Sequence, residues 1–291
     1  MSTILAALAV LAAATPGLLV TPAELAAALK DPAVVVLTIA NTPADFESGH
    51  IPGARFIRYG DIAIDQPGLR SELPPVARLR EIFAAAGVTN MSPVIIYGSP
   101  MPASRLFFTL DYLGHRDVKM LNGGMQAWKT SGGAVETGPQ MPTPQIRHRL
   151  DTEFSPASSA QHQRVVDAGW LQERLSSPRM ILLDARPDAE YTGADGGMGG
   201  MHVPGHLPGA QQLVWNTLFD STGTFLPDAE LAKKFAAIGA VKDTPLVSYC
   251  MVGMRASVTY FVARHLGYDA RMYDGSIEDW TNRKLPARTG R

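Results

Sequence analysis

The stretch Tyr249-Cys250-Met251-Val252-Gly253-Met254-Arg255 decides how the rest of the sequence is interpreted. Before it, residues 245–249 are apolar and β-prone, which predicts a short buried strand. After it, residues 258–266 predict a helix that ends at Gly267. Cys250, the only cysteine of the chain, therefore lies where a strand ends and a helix begins.

This position favours a reactive thiolate. The N–H groups at a helix N-terminus have no helical acceptors and attract negative charge. Glycine at 253 lets the loop curl, and Arg255 adds a fixed positive charge. The alternative is that Cys250 is a small buried hydrophobic residue, the commonest role of a lone cysteine. We predict a catalytic Cys250 and a substrate-binding loop made of Met251, Val252, Gly253, Met254 and Arg255.

The pattern Cys250-x-x-Gly253-x-Arg255 resembles the active-site loop of the rhodanese family of sulfurtransferases. The resemblance implies that the cysteine accepts a sulfane sulfur as a persulfide and passes it on. The loop is one residue shorter than that of the cysteine phosphatases, and a smaller loop suits a sulfur atom better than a phosphate group.

Composition places the chain among globular proteins of two domains. It has 291 residues, 46% of them hydrophobic and 18% charged, with a net charge of −1. No basic block suggests a nucleic acid or an anionic membrane as partner. A single cysteine excludes intrachain disulfides and cysteine-based zinc sites, and we expect no cofactor.

The N-terminus contains an apolar, alanine-rich run over residues 4–14, which is too short to span a membrane. Its length and the Ala12-Ala13-Ala14 cleavage pattern predict a signal peptide over residues 1–16, although no Lys or Arg precedes the run. The predicted location is periplasmic or secreted. The alternatives are a helix packed on the first domain and a cytoplasmic protein.

An internal repeat predicts the architecture. Six segments of the first half recur in the same order in the second half: 19–25 with 165–171, 34–37 with 180–183, 50–54 with 206–210, 94–97 with 246–249, 113–115 with 266–268, and 122–128 with 274–280. Strands alternate with helical segments in each half, so each half should be an α/β domain with a mostly parallel sheet flanked by helices. We predict domains over residues 18–137 and 164–290, joined by a linker over residues 138–163.

The repeated His-x-Pro-Gly-Ala and Gly-x-x-x-Trp segments resemble the flanking signatures of rhodanese-like domains. The tandem arrangement resembles thiosulfate and 3-mercaptopyruvate sulfurtransferases, in which the first domain is inactive and the second carries the cysteine. The repeat agrees, because Gly98 corresponds to Cys250, and Pro100 and Pro102 remove N–H donors from the first loop. The alternative for the first domain is a separate binding domain.

Two further positions, Arg186 and Asp184, complete the predicted site. Arg186 follows a predicted strand, where ligands of α/β sheets bind, and the resemblance implies a contact with the donor anion. The alternative for Arg186 is a surface salt bridge, and Asp184 is expected to hold a loop. The glycine-rich residues 193–202 predict a mobile loop near the cleft. His50 and His206 recur in both halves, which favours a structural role, and we predict no metal site.

The predicted activity is transfer of sulfur from thiosulfate to cyanide or a thiol through a Cys250 persulfide. The expected partners are therefore a small-molecule sulfur donor and a cyanide or thiol acceptor, and we expect a monomer. The alternatives are 3-mercaptopyruvate as donor, or a non-enzymatic sulfur-carrier or redox-sensing protein. Met251 and Val252 match the loop pattern of neither donor class, so the donor stays open.

Overall fold

The computed structural model describes residues 17–140, 164–175, 179–197 and 203–291. The predicted signal peptide and all but the first three residues of the predicted linker lie outside the described residues.

The first half contains seven strands and six helices among its described residues. The strands are β1 (Leu19–Val20), β2 (Val35–Ala40), β3 (Arg55–Arg58), β4 (Ile64–Gln66), β5 (Leu69–Glu72), β6 (Val94–Tyr97) and β7 (Val118–Leu121). The helices are α1 (Pro22–Ala28), α2 (Pro43–Glu47), α3 (Tyr59–Ile62), α4 (Val76–Ala85), α5 (Pro100–Tyr112) and α6 (Gly124–Thr130).

The second half repeats this order, except that its described strands include no counterpart of β4 and β5. Its described strands are β8 (Val165–Val166), β9 (Ile181–Asp184), β10 (Gln211–Gln212), β11 (Leu246–Tyr249) and β12 (Ala270–Tyr273). Its described helices are α7 (Ala168–Gln172), α8 (Asp188–Thr192), α9 (Asp228–Ala237), α10 (Met254–His265) and α11 (Ser276–Asn282), with a 3₁₀ turn at Trp215–Leu218.

Each half forms a five-stranded sheet, in the orders β1-β7-β6-β2-β3 and β10-β9-β11-β12-β8. Every described pairing within these two sheets is parallel. The predicted fold class, two α/β domains with parallel sheets and flanking helices, is therefore confirmed. Strands β4 and β5 form a separate antiparallel hairpin in the first half.

The central strand of each sheet, β6 or β11, is buried along its whole length, which explains why its sequence is largely apolar. Each ends in a tyrosine whose hydroxyl accepts a hydrogen bond from the residue after the repeated histidine. Ile51 N–H donates to Tyr97 at 3.1 Å, and Leu207 N–H donates to Tyr249 at 3.1 Å. The His-x-Pro-Gly segment is thereby fastened to the strand that precedes the loop in both halves.

The two halves share one hydrophobic core, which α5 and α10 supply where they pack against each other. Phe107 contacts Phe261 edge-on with ring centroids 4.9 Å apart, and Phe108 contacts Tyr260 in the same way at 5.1 Å. Burial of these aromatic faces stabilises the packing of the two halves against each other. No helix in the described parts of the chain is long and apolar enough to cross a membrane.

Candidate active site

Cys250 lies directly after β11 and is completely buried. Helix α10 begins at Met254, earlier than the sequence predicted, because Gly253 takes a left-handed conformation with φ of +81°. Only glycine adopts this conformation without strain. The first-turn N–H groups of α10 therefore lie immediately beyond the cysteine and have no helical acceptors. Negative charge on the sulfur is favoured there.

The N-terminal end of α11 fastens the backbone of this loop. Cys250 N–H donates to Ser276 Oγ at 3.1 Å, and the hydroxyl donates onward to Tyr273 O at 2.9 Å. Ile277 N–H donates to Cys250 O, and Glu278 N–H donates to Met251 O, both at 3.2 Å. The position of the cysteine therefore depends on residues 273–278.

Arg255 lies in the first turn of α10 and forms a two-pronged ion pair with Glu190 of α8. The distances are 2.7 Å from Nη1 to Oε1 and 2.9 Å from Nη2 to Oε2. Burial lowers the pKa of Arg255, but the bond to Glu190 and the charge of Cys250 outweigh burial and raise the pKa overall. Glu190 therefore fixes the orientation of the Arg255 guanidinium, whose positive charge is close enough to act on Cys250 through space.

The sequence predicted that Arg186 contacts the donor anion, but the structure buries its side chain. Its side chain is 1% exposed, and Nη2 donates to Asp184 at 2.6 Å and to Gly205 O at 2.7 Å. Nε also donates to Asp184, at 2.9 Å. Because these bonds hold the guanidinium inside the protein, a small anion in the cleft does not meet it in this conformation. Asp184 also accepts a hydrogen bond from the Arg186 backbone N–H at 2.9 Å, and its loop-holding role stays a prediction.

The remaining loop residues are buried or half-buried. Gly253 is buried and Met251 is 2% exposed, whereas Val252 and Met254 are half-buried. The Met251 methyl group packs against Gly197, at a distance that leaves no room for a Cβ on that residue. The described part of the glycine-rich segment therefore lies over the cysteine loop. Residues 198–202 are outside the described residues.

Residues of the first half also lie near the site. The sequence predicted that the first domain walls one side of the cleft, but it did not identify which residues do so. Burial raises the pKa of Tyr59, the charge of Arg105 opposes the rise, and the charges of Asp274 and Cys250 add to it, which places Tyr59 near the site. Arg105 of α5 forms a buried ion pair with Asp274, beside the loop. A signal was present in the sequence, because Arg105 interrupts an apolar helix and Asp274 replaces Asn122 of the first repeat.

The corresponding loop of the first half has a different chemistry. Gly98 replaces the cysteine, and α5 begins at Pro100 with Pro102 in the same turn. Proline has no N–H, so this helix start presents fewer donors than α10. The two histidines of the repeat are structural in both halves: His50 stacks on Phe46, and His206 stacks on Tyr191.

A duplicated parallel α/β domain with one cysteine on a strand-to-helix turn defines a class of two-domain proteins with a single thiol site. The chain belongs to the rhodanese family, because the model of the rhodanese-like domain matches residues 21–131 and 167–283. This family was the one indicated by the cysteine loop and the repeat.

Relatives cover nearly the whole chain. A thiosulfate sulfurtransferase of Pseudomonas aeruginosa is 29% identical, over 91% of this chain and 94% of that protein. A probable 3-mercaptopyruvate sulfurtransferase of the same organism is 33% identical, over 94% and 98%. The sulfur carrier protein TtuD of Thermus thermophilus is 30% identical, over 87% and 90%. Among solved structures, wild-type EanB superposes with a TM-score of 0.81 at 25% identity, over 94% of this chain and 69% of that one.

Proposed function

We propose that the protein is a sulfurtransferase that moves a sulfane sulfur from thiosulfate to cyanide or a thiol through a Cys250 persulfide. The observation that carries the proposal is the position of Cys250, at the N-terminus of α10 and beside the Arg255–Glu190 ion pair. Relatives named as thiosulfate and 3-mercaptopyruvate sulfurtransferases support the reaction class. A solved EanB structure, 25% identical, is described as holding ergothioneine covalently linked with a persulfide cysteine, which supports the intermediate.

The reaction has two steps. The Cys250 thiolate attacks the outer sulfur of thiosulfate, a new S–S bond forms, the S–S bond of thiosulfate breaks, and sulfite leaves with the electron pair. The acceptor then attacks the outer sulfur of the persulfide, and the Cys250 thiolate is regenerated. The helix N–H groups and Arg255 stabilise the negative sulfur at each stage.

The complete burial of Cys250 means that the donor reaches the sulfur only after a covering side chain moves. Met251 is suited to this movement, because it is unbranched and packs against glycine rather than a bulky residue. Val252, Gly253 and Met254 complete the proposed substrate-binding loop. We assign Arg186 to joining the end of β9 to the segment that contains Gly205, in place of a direct donor contact.

Thiosulfate is the proposed donor, with 3-mercaptopyruvate as the alternative that the 33% identical relative favours. A carrier role without turnover is the second alternative, favoured by the resemblance to TtuD. Steady-state turnover separates these three. Thiosulfate with cyanide should give multiple turnovers and ping-pong kinetics, 3-mercaptopyruvate should react more slowly, and a carrier would stop after one sulfur per chain.

The intermediate is tested by intact-mass measurement after incubation with thiosulfate. We expect the mass of one sulfur atom to be added to the wild type and none to Cys250→Ser, with thiol reductants removing the addition. Unchanged wild-type mass would reject the persulfide. Residual turnover of Cys250→Ser above a few per cent would show that another group accepts the sulfur.

Export remains our proposal for the location of the protein, with Ala12-Ala13-Ala14 as the cleavage site. Sequencing the N-terminus of the protein made in its own cell tests it. A chain that keeps Ser2 in the cytoplasm would reject export.

A further inference from the structure

We propose that the thiol-free first domain positions the catalytic loop through two ion pairs, Arg105–Asp274 and Arg70–Glu278. We call these two pairs the clamp. The inference rests on the proposed function, in which Cys250 accepts the sulfur. It goes further by assigning Arg105 and Arg70 as positioning residues for the reaction, although neither lies in the domain that carries the cysteine.

Arg105 is the centre of the first pair. Its side chain is fully buried, and Nη1 and Nη2 donate to the two carboxylate oxygens of Asp274, the second bond at 3.0 Å. Nη2 also donates to Ser71 O at 2.7 Å, and Leu73 N–H donates to Asp274 Oδ2 at 3.1 Å. Asp274 is thus held from both sides by the first domain, in a geometry that only a planar guanidinium satisfies.

The clamp touches the catalytic loop at Gly253. A Cβ on Gly253 would collide with Asp274 Oδ1 and would lie 3.0 Å from Arg105 Nη1. Gly253 is the residue whose left-handed conformation starts α10 immediately after the cysteine. Any shift of the ion pair therefore changes the space available to the turn that joins Cys250 to α10.

The second pair holds the other end of the same segment. Arg70 donates to Glu278 through Nε at 2.7 Å and through its backbone N–H at 2.6 Å. The backbone N–H of Glu278 in turn donates to Met251 O. Between the two paired residues lie Ser276 and Ile277, which bond the backbone of Cys250. The first domain therefore fixes both ends of the five-residue segment 274–278 that holds the loop.

The repeat supplies an internal comparison. The pairs Phe107–Phe261 and Phe108–Tyr260 exchange under the repeat, which places Val258 at the position of Arg105. The position of Asp274 is occupied in the first half by Asn122, whose side chain accepts a hydrogen bond from Phe225 N–H at 2.9 Å. Val258 and Asn122 are both uncharged, so the contact equivalent to the Arg105–Asp274 pair contains no ion pair. The Arg–Asp pair stands only beside the loop that has a thiol.

Adhesion between the domains does not account for this asymmetry. A buried ion pair gives little net stability compared with apolar residues of similar volume. The shared aromatic core already joins the domains. What a two-pronged ion pair adds is directional restraint, and the catalytic loop is where that restraint acts.

The test uses the full chain with three variants. Arg105→Met/Asp274→Asn removes the first pair without leaving an isolated buried charge. Arg70→Met removes the second pair at a residue whose side chain is 34% exposed, so the fold should survive. Asp111→Asn is the matched control, because Asp111 joins the domains through Arg264 at 2.8 Å but lies toward the other end of α5.

Two rates are measured for each variant, at a temperature where circular dichroism shows it folded. One is kcat for thiosulfate and cyanide, and the other is alkylation of Cys250 by iodoacetamide, which needs no sulfur transfer. We expect the double variant to lose roughly 10-fold or more in kcat, and Arg70→Met roughly 2- to 10-fold, as fits the loss of charged hydrogen bonds. Alkylation should rise several-fold in both, since the loop no longer holds the sulfur buried.

Asp111→Asn should stay within about twofold of wild type in both rates, whatever its stability. Folded clamp variants with wild-type kcat and wild-type alkylation would overturn the proposal, as would equal changes in Asp111→Asn. If the double variant does not fold, Arg70→Met decides by the same criteria. A wild type that accepts no sulfur from thiosulfate rejects the proposed function instead, and the alkylation rates still test the clamp.

Discussion

Arg186 and Arg255 are both paired with carboxylates, but they differ in solvent exposure, and we therefore assign them different roles. Arg186 is 1% exposed and bonds Asp184 and Gly205. Arg255 is 19% exposed and lies at the start of the helix that faces the sulfur. A partly open cation can exchange its partner for a substrate anion, whereas a buried one leaves an uncompensated charge when it moves.

For this reason we expect Arg186→Met to act on stability. The variant leaves Asp184 buried without its partner, which should lower the free energy of unfolding by about 3–5 kcal/mol. Asp184→Asn in the same chain should recover part of that loss. Arg255→Met should instead lower kcat/KM by roughly 10- to 150-fold with a smaller loss of stability.

Urea unfolding and steady-state kinetics on the two variants provide the measurement. If Arg186→Met unfolds like the wild type and only raises the thiosulfate KM, then the donor contact predicted from the sequence is right and our assignment is wrong.

The turn that begins α11 contains a strained residue, Ser276, whose side chain supports the site. Ser276 has φ of +52°, a left-handed conformation that costs a residue with a Cβ about 1–3 kcal/mol. The corresponding residue of the first half is Gly124, with φ of +54°. A Cβ on Gly124 would lie 2.7 Å from Gly98 O, so a serine does not fit there. The second half keeps a strained serine because its hydroxyl accepts the hydrogen bond from Cys250 N–H.

We therefore expect Ser276→Gly to separate activity from stability. Relief of strain should offset the lost hydrogen bond, leaving the free energy of unfolding within about 1 kcal/mol of wild type. The loosened loop should lower kcat/KM by roughly 2- to 10-fold. The matched variant Gly124→Ser should destabilise the protein, because its side chain meets the Gly98 carbonyl. Unfolding curves and kinetics measured together decide this, and full activity in Ser276→Gly would show that the hydroxyl does not position the loop.

For the strands and helices, the sequence predicted most of the elements but few of the contacts between them. Apolar runs and the repeat predicted both sheets, since burial of a parallel strand leaves a local signature. The start of α10 was predicted too late, because apolar spacing begins at Val258 whereas the backbone turn is set by Gly253. The burial of Arg186 could not be predicted, because one acceptor, Gly205, is distant in sequence and belongs to an irregular segment.

At the scale of the whole molecule, the two halves have diverged in charge along the seam between them. The first domain contributes Arg70, Glu72 and Arg105 to the side that faces α11. Glu72, at the end of β5, is the member of this group whose Oε1 is buried without a hydrogen-bond partner among the described residues. Burial raises its pKa to about 8, and the neighbouring Asp274 adds to the rise. The seam therefore contains a carboxyl group that is protonated at neutral pH.

This protonation makes the stability of the two-domain protein depend on pH in a predictable direction. The carboxyl has an ordinary pKa of 4.5 in the unfolded chain and about 8 in the folded protein. Below pH 4.5 it is neutral in both states and costs nothing. As the pH rises to about 8, the unfolded chain gives up a proton that the folded protein retains, so stability is lost progressively, and above 8 the loss is complete.

We expect Glu72→Gln to match the wild type at pH 4.5 and to melt at a higher temperature at pH 9. The exposed Glu81→Gln serves as control and should shift neither melting temperature. Equal melting temperatures of Glu72→Gln and wild type at pH 9 would show that the Glu72 carboxyl is solvated and titrates normally.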